Sequence, residues 1–377
     1  MGDHAPILIL TASAGAGHGV AAIAVAEALQ KRLPGAAVIV HDVLESANAF
    51  FRNLYANGYL GLVRHMPAAF GMIYEATDRP ARNMRRNLRS WFQNINSRRT
   101  MRHIEGLRPR LIINTHFLSA EIVAHMRSSG RLTCPQVTVT TDFETHRLWA
   151  QPPTERYYTA TEEGREYLTT WGADPAHIRV TGIPVRAAFA EPTARADACA
   201  RLGLIEDLPL ILMLCGGFGV GPVEDFVRAL LQLQTPAQIA VIAGRNPKLQ
   251  ARLDAIAAGA TPRLRVVGFT DEMHVWMRAA SLVVSKPGGL TAAEALAVGV
   301  PLVIVNPIPG QESRNSDYLL ENRAAIRVHN ARLLRFRIDR LLADEPRLTA
   351  MAAAARCLGR PNAATDVVED AITFLAS

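Results

Sequence analysis

Cysteine is scarce in this chain. Four are present among 377 residues, Cys134, Cys199, Cys215 and Cys357, and their spacing fits no metal site. They read as small buried residues of a reducing cytoplasm. Long apolar runs are missing as well, and nothing approaches the ~18 uncharged apolar residues that a membrane-spanning helix requires. The opening residues, Met1-Gly2-Asp3-His4-Ala5-Pro6, carry no basic stretch, and the apolar run behind them is only four residues long, at 7–10. No signal peptide is expected. Asp-x-Asp occurs nowhere. A divalent ion holding a nucleotide diphosphate normally uses such carboxylates, so neither a metal nor a cofactor is expected.

What is present suits a soluble enzyme. The chain is 49% hydrophobic and 20% charged, with a net charge of +7. The positive excess favours an anionic partner. Apolar strand runs alternate with helical stretches. Runs at 7–11, 37–40, 110–114, 136–140, 157–160 and 178–181 form one set. A second set lies at 209–214, 238–243, 264–267, 281–284 and 301–305. Such alternation predicts an α/β protein with two doubly wound, Rossmann-like parallel sheets. Domains are expected at 1–187 and 196–355, with Glu191-Pro192-Thr193 as linker and residues 356–377 as a helix crossing back to the first. Ligands in such sheets sit at the carboxyl ends of strands, so two facing domains make a cleft.

The most informative stretch is 285–315. An apolar run ends in Ser285-Lys286-Pro287-Gly288-Gly289, and a helix is expected from Leu290-Thr291. Backbone amides of Gly288, Gly289, Leu290 and Thr291 then stand at a helix N-terminus, where a pyrophosphate can bind. Glu294 lies one turn further on, placed to accept ribose hydroxyls. The strand at 301–305 delivers Gln311-Glu312-Ser313-Arg314-Asn315, a cluster suited to a hydroxyl-rich ligand. Two more loops fit the same ligand. Cys215-Gly216-Gly217 can border phosphates or serve only as a tight connection. Phe269 can meet a flat base or sit in the core.

Three histidine loops follow strands of the first half. Gly15-Ala16-Gly17-His18 opens the first helix, and its glycines are not spaced as a dinucleotide fingerprint. His18 can take a proton from an acceptor hydroxyl, or cap the helix or bind a backbone carbonyl. Thr141-Asp142-Phe143-Glu144-Thr145-His146 offers Asp142 and His146 as supplementary groups, and His116 is a further candidate. Between residues 50 and 110 aromatic and aliphatic residues interleave with arginines. Arg85, Arg86, Arg89, Trp91 and Phe92 mark a stretch suited to an anionic membrane surface, or to a solvated basic helix. A basic nucleic-acid-binding protein is the more remote alternative, but no reading module is evident, so nucleic acid is not an expected partner.

Together these motifs resemble the monogalactosyldiacylglycerol synthase and processive diacylglycerol glucosyltransferase family. That group belongs to the MurG-related glycosyltransferases of GT-B fold. The resemblance rests on Gly268-Phe269-Thr270, Ser285-Lys286-Pro287-Gly288-Gly289-Leu290-Thr291 and Pro309-Gly310-Gln311-Glu312, with Thr141-Asp142-Phe143 and Thr181-Gly182-Ile183-Pro184-Val185 in support. It implies inverting transfer of a hexose from a UDP-sugar to diacylglycerol, at the inner face of the cell membrane. In that reading Gly288–Thr291 holds the diphosphate, Glu294 the ribose, Phe269 the uracil, and Gln311 and Glu312 the sugar, with His18 as base. A polyprenyl-linked or soluble acceptor is the alternative within the same architecture. Which hexose is transferred, and the oligomeric state, stay open.

Overall fold

The computed structural model describes residues 5–13, 16–46, 66–78, 97–216, 222–260 and 263–375. It divides into two compact units. The first takes in Met1–Ala187, Pro309–Gln311 and Asn362–Ser377, and the second Ala188–Ile308 and Glu312–Pro361.

In the first unit, six strands pair in parallel: β1 Ile7–Thr11, β2 Val38–Asp42, β3 Leu111–Asn114, β4 Gln136–Val139, β5 Arg156–Thr159 and β6 Ile178–Val180. Their spatial order is β2-β1-β3-β4-β5-β6. Every residue of β1 and β3 is buried, because helices cover both faces and leave no wet side to call for polar alternation. Leu8, Leu10 and Ile112 face Leu118, Ile122 and Met126. Ile7, Ile9, Leu111 and Ile113 face Val25 and Leu29 together with Val367, Val368 and Ala371. The latter three lie on the helix Ala363–Ala371, which thereby completes one side of this core. Its Asp370 Oδ2 accepts hydrogen bonds from Arg156 Nε at 2.8 Å and from Tyr158 Oη at 2.8 Å. Burial, with the Asp370 carboxylate beside it, pushes the Tyr158 phenol well above its ordinary pKa.

The second unit repeats the plan with β7 Leu210–Leu214, β8 Gln238–Ile242, β9 Leu264–Val267, β10 Leu282–Ser285, β11 Leu302–Val305 and β12 Ala325–Val328. The order is β9-β8-β7-β10-β11-β12. The strand order reverses between β7 and β10 here, and between β1 and β3 in the first unit. Open α/β sheets bind ligands at the carboxyl ends of strands at such points.

Two sequence expectations are corrected. β12 lay outside the expected strands: Ala325-Ile326-Arg327-Val328 is a short edge strand with a charged residue in it, too brief for its period to show. Cys134, Cys199 and Cys215 are buried as expected, but Cys357 is exposed near the end of the helix Glu345–Leu358. Within 50–110, helices Pro67–Asp78 and Ser97–Leu107 are described. Arg85, Arg86, Arg89, Trp91 and Phe92 lie outside the described residues. Among the described residues no helix is long and apolar enough to cross a membrane.

Asp370→Ala removes the acceptor of a buried tyrosine and of Arg156. Unfolding in urea should show a loss of about 1–3 kcal/mol, as expected when buried donors lose their partner. An unchanged midpoint would mean that the last helix is held by apolar packing alone.

Candidate active site

β1 and β3 are parallel neighbours, with Leu10 opposite Asn114. Their following turns therefore emerge side by side. β1 leads to Gly17 and His18 in the first turn of the helix Ala16–Arg32, and β3 leads to Thr115 and His116 before the helix Phe117–Ser128. The His18 and His116 rings meet edge to face, with centroids 4.5 Å apart. His18 Nδ1 lies 3.2 Å from the Thr115 carbonyl oxygen and 2.7 Å from Thr141 Oγ1. The Thr115 hydroxyl in turn donates to the His18 carbonyl at 3.1 Å. Removal from water lowers the His18 pKa to about 4, partly opposed by the bond to Thr115. The imidazole is thus neutral near pH 7 and able to accept a proton.

His116 is 1% exposed and caps its helix, its Nδ1 accepting from the Leu118 amide at 3.0 Å. Burial, and then the neighbouring His18, hold its pKa well below the ordinary value. His146 acts in the same way: its Nδ1 accepts from the Leu148 amide at 3.1 Å. Its Nε2 then carries the proton and donates to the Tyr74 carbonyl at 3.1 Å. Of the structural roles weighed for His18, it takes that of binding a backbone carbonyl, the one of Thr115, while helix capping falls to His116 and His146. Asp142 is buried and its Oδ1 accepts from Gln311 Nε2, within the first unit.

At the switch point of the second sheet, β10 ends at Ser285 and the helix Gly289–Val298 begins after Gly288. Its first intrahelical amide bond runs from Ala292 to the Gly288 carbonyl, and no side chain caps the helix start. Gly288 has φ −62° and ψ 140°, angles open to any residue. Glycine is not required there by the backbone. A Cβ at that position would meet no atom within 4 Å, so the space before the amides of Gly289, Leu290 and Thr291 is open. Lys286 lies just upstream, its pKa lowered by burial and partly restored by Glu312. Glu294 is buried in the same helix. Glu312 Oε2 accepts from the Ile308 amide at 2.7 Å, at the start of the helix Gln311–Glu321.

Beside β7, the left-handed Gly216 and Gly244 bring two turns together: a Cβ on Gly244 would stand 3.6 Å from the Gly216 carbonyl oxygen. Gly217 itself lies outside the described residues. Phe269, after β9, is 54% exposed, and the Arg245 guanidinium lies 4.2 Å from its ring centroid. Sequence reasoning passed over Arg245 and gave no role to Thr115 or to Thr141, the latter quoted only as part of a motif. Arg245 follows Gly244 at a strand end, a signal that was there to be used. The two threonines carry no such mark, since only the fold brings them to His18.

Residues 18–185 match the family model for monogalactosyldiacylglycerol synthase, and residues 210–369 that for the glycosyltransferase family 28 C-terminal domain. A processive diacylglycerol beta-glucosyltransferase of Bacillus licheniformis is 28% identical over 376 residues, covering 99% of this chain and 96% of that protein. Its Bacillus subtilis counterpart is 28% identical over 374 residues, covering 98% and 95%. Among solved structures, MurG of Acinetobacter baumannii superposes with TM-score 0.60 at 18% identity, covering 97% of this chain and 99% of that one. HepE of Anabaena in complex with UDP gives TM-score 0.57 at 15% identity, covering 98% and 99%. These two likenesses establish the fold.

The low His18 pKa has a consequence for stability. The group titrates at about 4 when folded and near 6.5 when unfolded. Below pH 6.5 the unfolded chain therefore binds more protons, and stability falls as pH drops through that window. Denaturation midpoints at pH 7 and 4.5 should differ less in His18→Gln than in the wild type. Equal pH slopes in the two proteins would contradict the shift.

Proposed function

Because the chain belongs to the monogalactosyldiacylglycerol synthase group of family 28 glycosyltransferases, we propose that it transfers a hexose from a UDP-sugar to the free hydroxyl of diacylglycerol. The transfer proceeds with inversion and without a resident metal ion. It takes place at an anionic membrane surface on the cytoplasmic side. The observation that carries this reading is the open, uncapped helix start at Gly288.

A helix N-terminus with unpaired amides attracts anions through both hydrogen bonds and its dipole. The first turn of Gly289–Val298 contains no acidic residue to offset that positive end, and Lys286 adds a cation close by. These groups suit a diphosphate and stabilise the charge that develops on it as it leaves. Phe269 with Arg245 offers a flat, cation-backed face for uracil, and Glu294 an acceptor for the ribose. Gln311 and Glu312 remain the groups assigned to the sugar.

In the first unit, the His18 imidazole takes the proton of the acceptor hydroxyl. The acceptor oxygen bonds to the anomeric carbon as the bond from that carbon to the diphosphate oxygen breaks. The electron pair leaves with UDP, and the configuration inverts. The full-length similarity to enzymes named for diacylglycerol supports the lipid acceptor. Met66, Met72 and Ile73 are 58%, 65% and 52% exposed, an apolar face that supports contact with lipid. In sequence it precedes the basic stretch that contains Arg85, Arg86 and Arg89.

Incubation with radiolabelled UDP-glucose or UDP-galactose and diacylglycerol vesicles should yield labelled glycolipid. Yield should rise with anionic lipid and persist in EDTA. Label found only on a polyprenyl-linked or soluble acceptor would overturn the acceptor assignment. Gly288→Val keeps permitted backbone angles, and its Cβ would have no described atom within 4 Å beyond its chain neighbours, so the thermal midpoint should hold. Its side chain would occupy the diphosphate space, and the Kd for UDP should rise at least tenfold. Unaltered UDP affinity in this variant would place the nucleotide elsewhere.

A further inference from the structure

We infer that Thr141 is a positioning residue for the proposed base: with the Thr115 carbonyl it holds the proton of His18 on Nδ1 and so leaves Nε2 as the proton-accepting nitrogen. The inference rests on the assignment of His18 as base. It goes further by fixing which nitrogen reacts and what holds the ring.

Two atoms approach His18 Nδ1, the Thr115 carbonyl oxygen at 3.2 Å and Thr141 Oγ1 at 2.7 Å. A carbonyl oxygen only accepts, whereas a hydroxyl can donate or accept. The carbonyl therefore decides the tautomer. The proton sits on Nδ1, the Thr141 hydroxyl accepts as well, and the lone pair is on Nε2. The shorter of the two contacts is to Thr141, which is 4% exposed. It sits just beyond β4, while Thr115 sits just beyond β3, and β3 and β4 are adjacent, with Asn114 opposite Thr138. Both partners are thus carried on a rigid sheet edge. The backbone of His18 is fixed by the same element through the Thr115 hydroxyl.

The ring itself is confined from other sides. His116 stands edge-on to it, and Trp149 lies with its centroid 6.2 Å away. His116 cannot compete for the His18 proton through its own Nδ1, which is committed to the Leu118 amide. When the acceptor hydroxyl loses its proton, that proton goes to Nε2. Nδ1 keeps its own, and the resulting imidazolium remains bonded to the Thr141 and Thr115 oxygens. Both bonds strengthen as charge develops on the ring, so they favour the transition state over the resting enzyme.

The test combines histidine tautomer assignment by nitrogen NMR with steady-state kinetics. In the wild type, His18 should show a protonated Nδ1. In Thr141→Val the Thr115 carbonyl should keep the proton on Nδ1, but the ring loses the shorter of its two bonds, and kcat should drop about tenfold while the Kd for UDP stays within twofold. Thr141→Ser should restore kcat to within about threefold. An unchanged circular dichroism spectrum and thermal midpoint confirm that each variant is folded. A protonated Nε2 in the wild type, or a Thr141→Val enzyme with wild-type kcat, would overturn the inference. His18→Ala separates the two levels of the argument. If it retains turnover, the base assignment fails whatever Thr141 does; if it is inactive while Thr141→Val is not, only the positioning role fails.

Discussion

Backbone amides at a helix start need a partner, and in parallel α/β sheets every such start lies at the same edge, where the preceding strand ends. The second unit meets that need in different ways. Asn246 and Asn330 cap the helices that follow β8 and β12 with their own side chains. The helix Val223–Leu230 begins without a side-chain cap but carries Glu224 and Asp225 in its first turn. The helices Met273–Ala279 and Gly289–Val298 have neither a side-chain cap nor an acidic first turn, but the first starts at an acidic residue, Glu272, and the second at Gly288. The positive end of the second is left for a ligand to neutralise, beside the strand-order reversal where an open sheet leaves a crevice. The proposed donor chemistry rests on that uncompensated end.

The first unit applies the opposite electrostatic device. Its reversal point gathers neutral polar groups, His18, His116, Thr115 and Thr141, and shields them from water. Desolvation keeps both imidazoles uncharged near neutral pH. In the proposed reaction the labour is divided between an uncharged base in one unit and an anion-seeking helix end in the other: one manages the proton, the other the leaving charge.

How much of this was readable in the sequence depends on where each signal resides. Ser285-Lys286-Pro287-Gly288-Gly289 declared itself, because a strand, a tight turn and a helix start are local events. Buried strands such as Leu210–Leu214 were visible as unbroken apolar runs for the same reason. β12 was hidden because four residues at a sheet edge, one of them arginine, carry too little period. The histidines were visible as residue types but not as roles. Nothing in the sequence says that His116 and His146 spend Nδ1 on a backbone amide, or that Thr141, 123 residues away along the chain, touches His18. Those contacts exist only once β1, β3 and β4 lie side by side.

The helix Ala363–Ala371 belongs to the first unit although a whole second sheet intervenes in the chain. Val367, Val368 and Ala371 close one face of the β1–β3 core, and Asp370 receives the buried Tyr158 hydroxyl. During synthesis, then, the amino-terminal half leaves the ribosome with an apolar face uncovered and keeps it so while the second half is made. The second unit, whose own segments lie together before residue 362, can reach its final packing first. Folding order on the ribosome is thereby reversed relative to chain order for part of this protein, and the half that emerges earliest is the last to be finished.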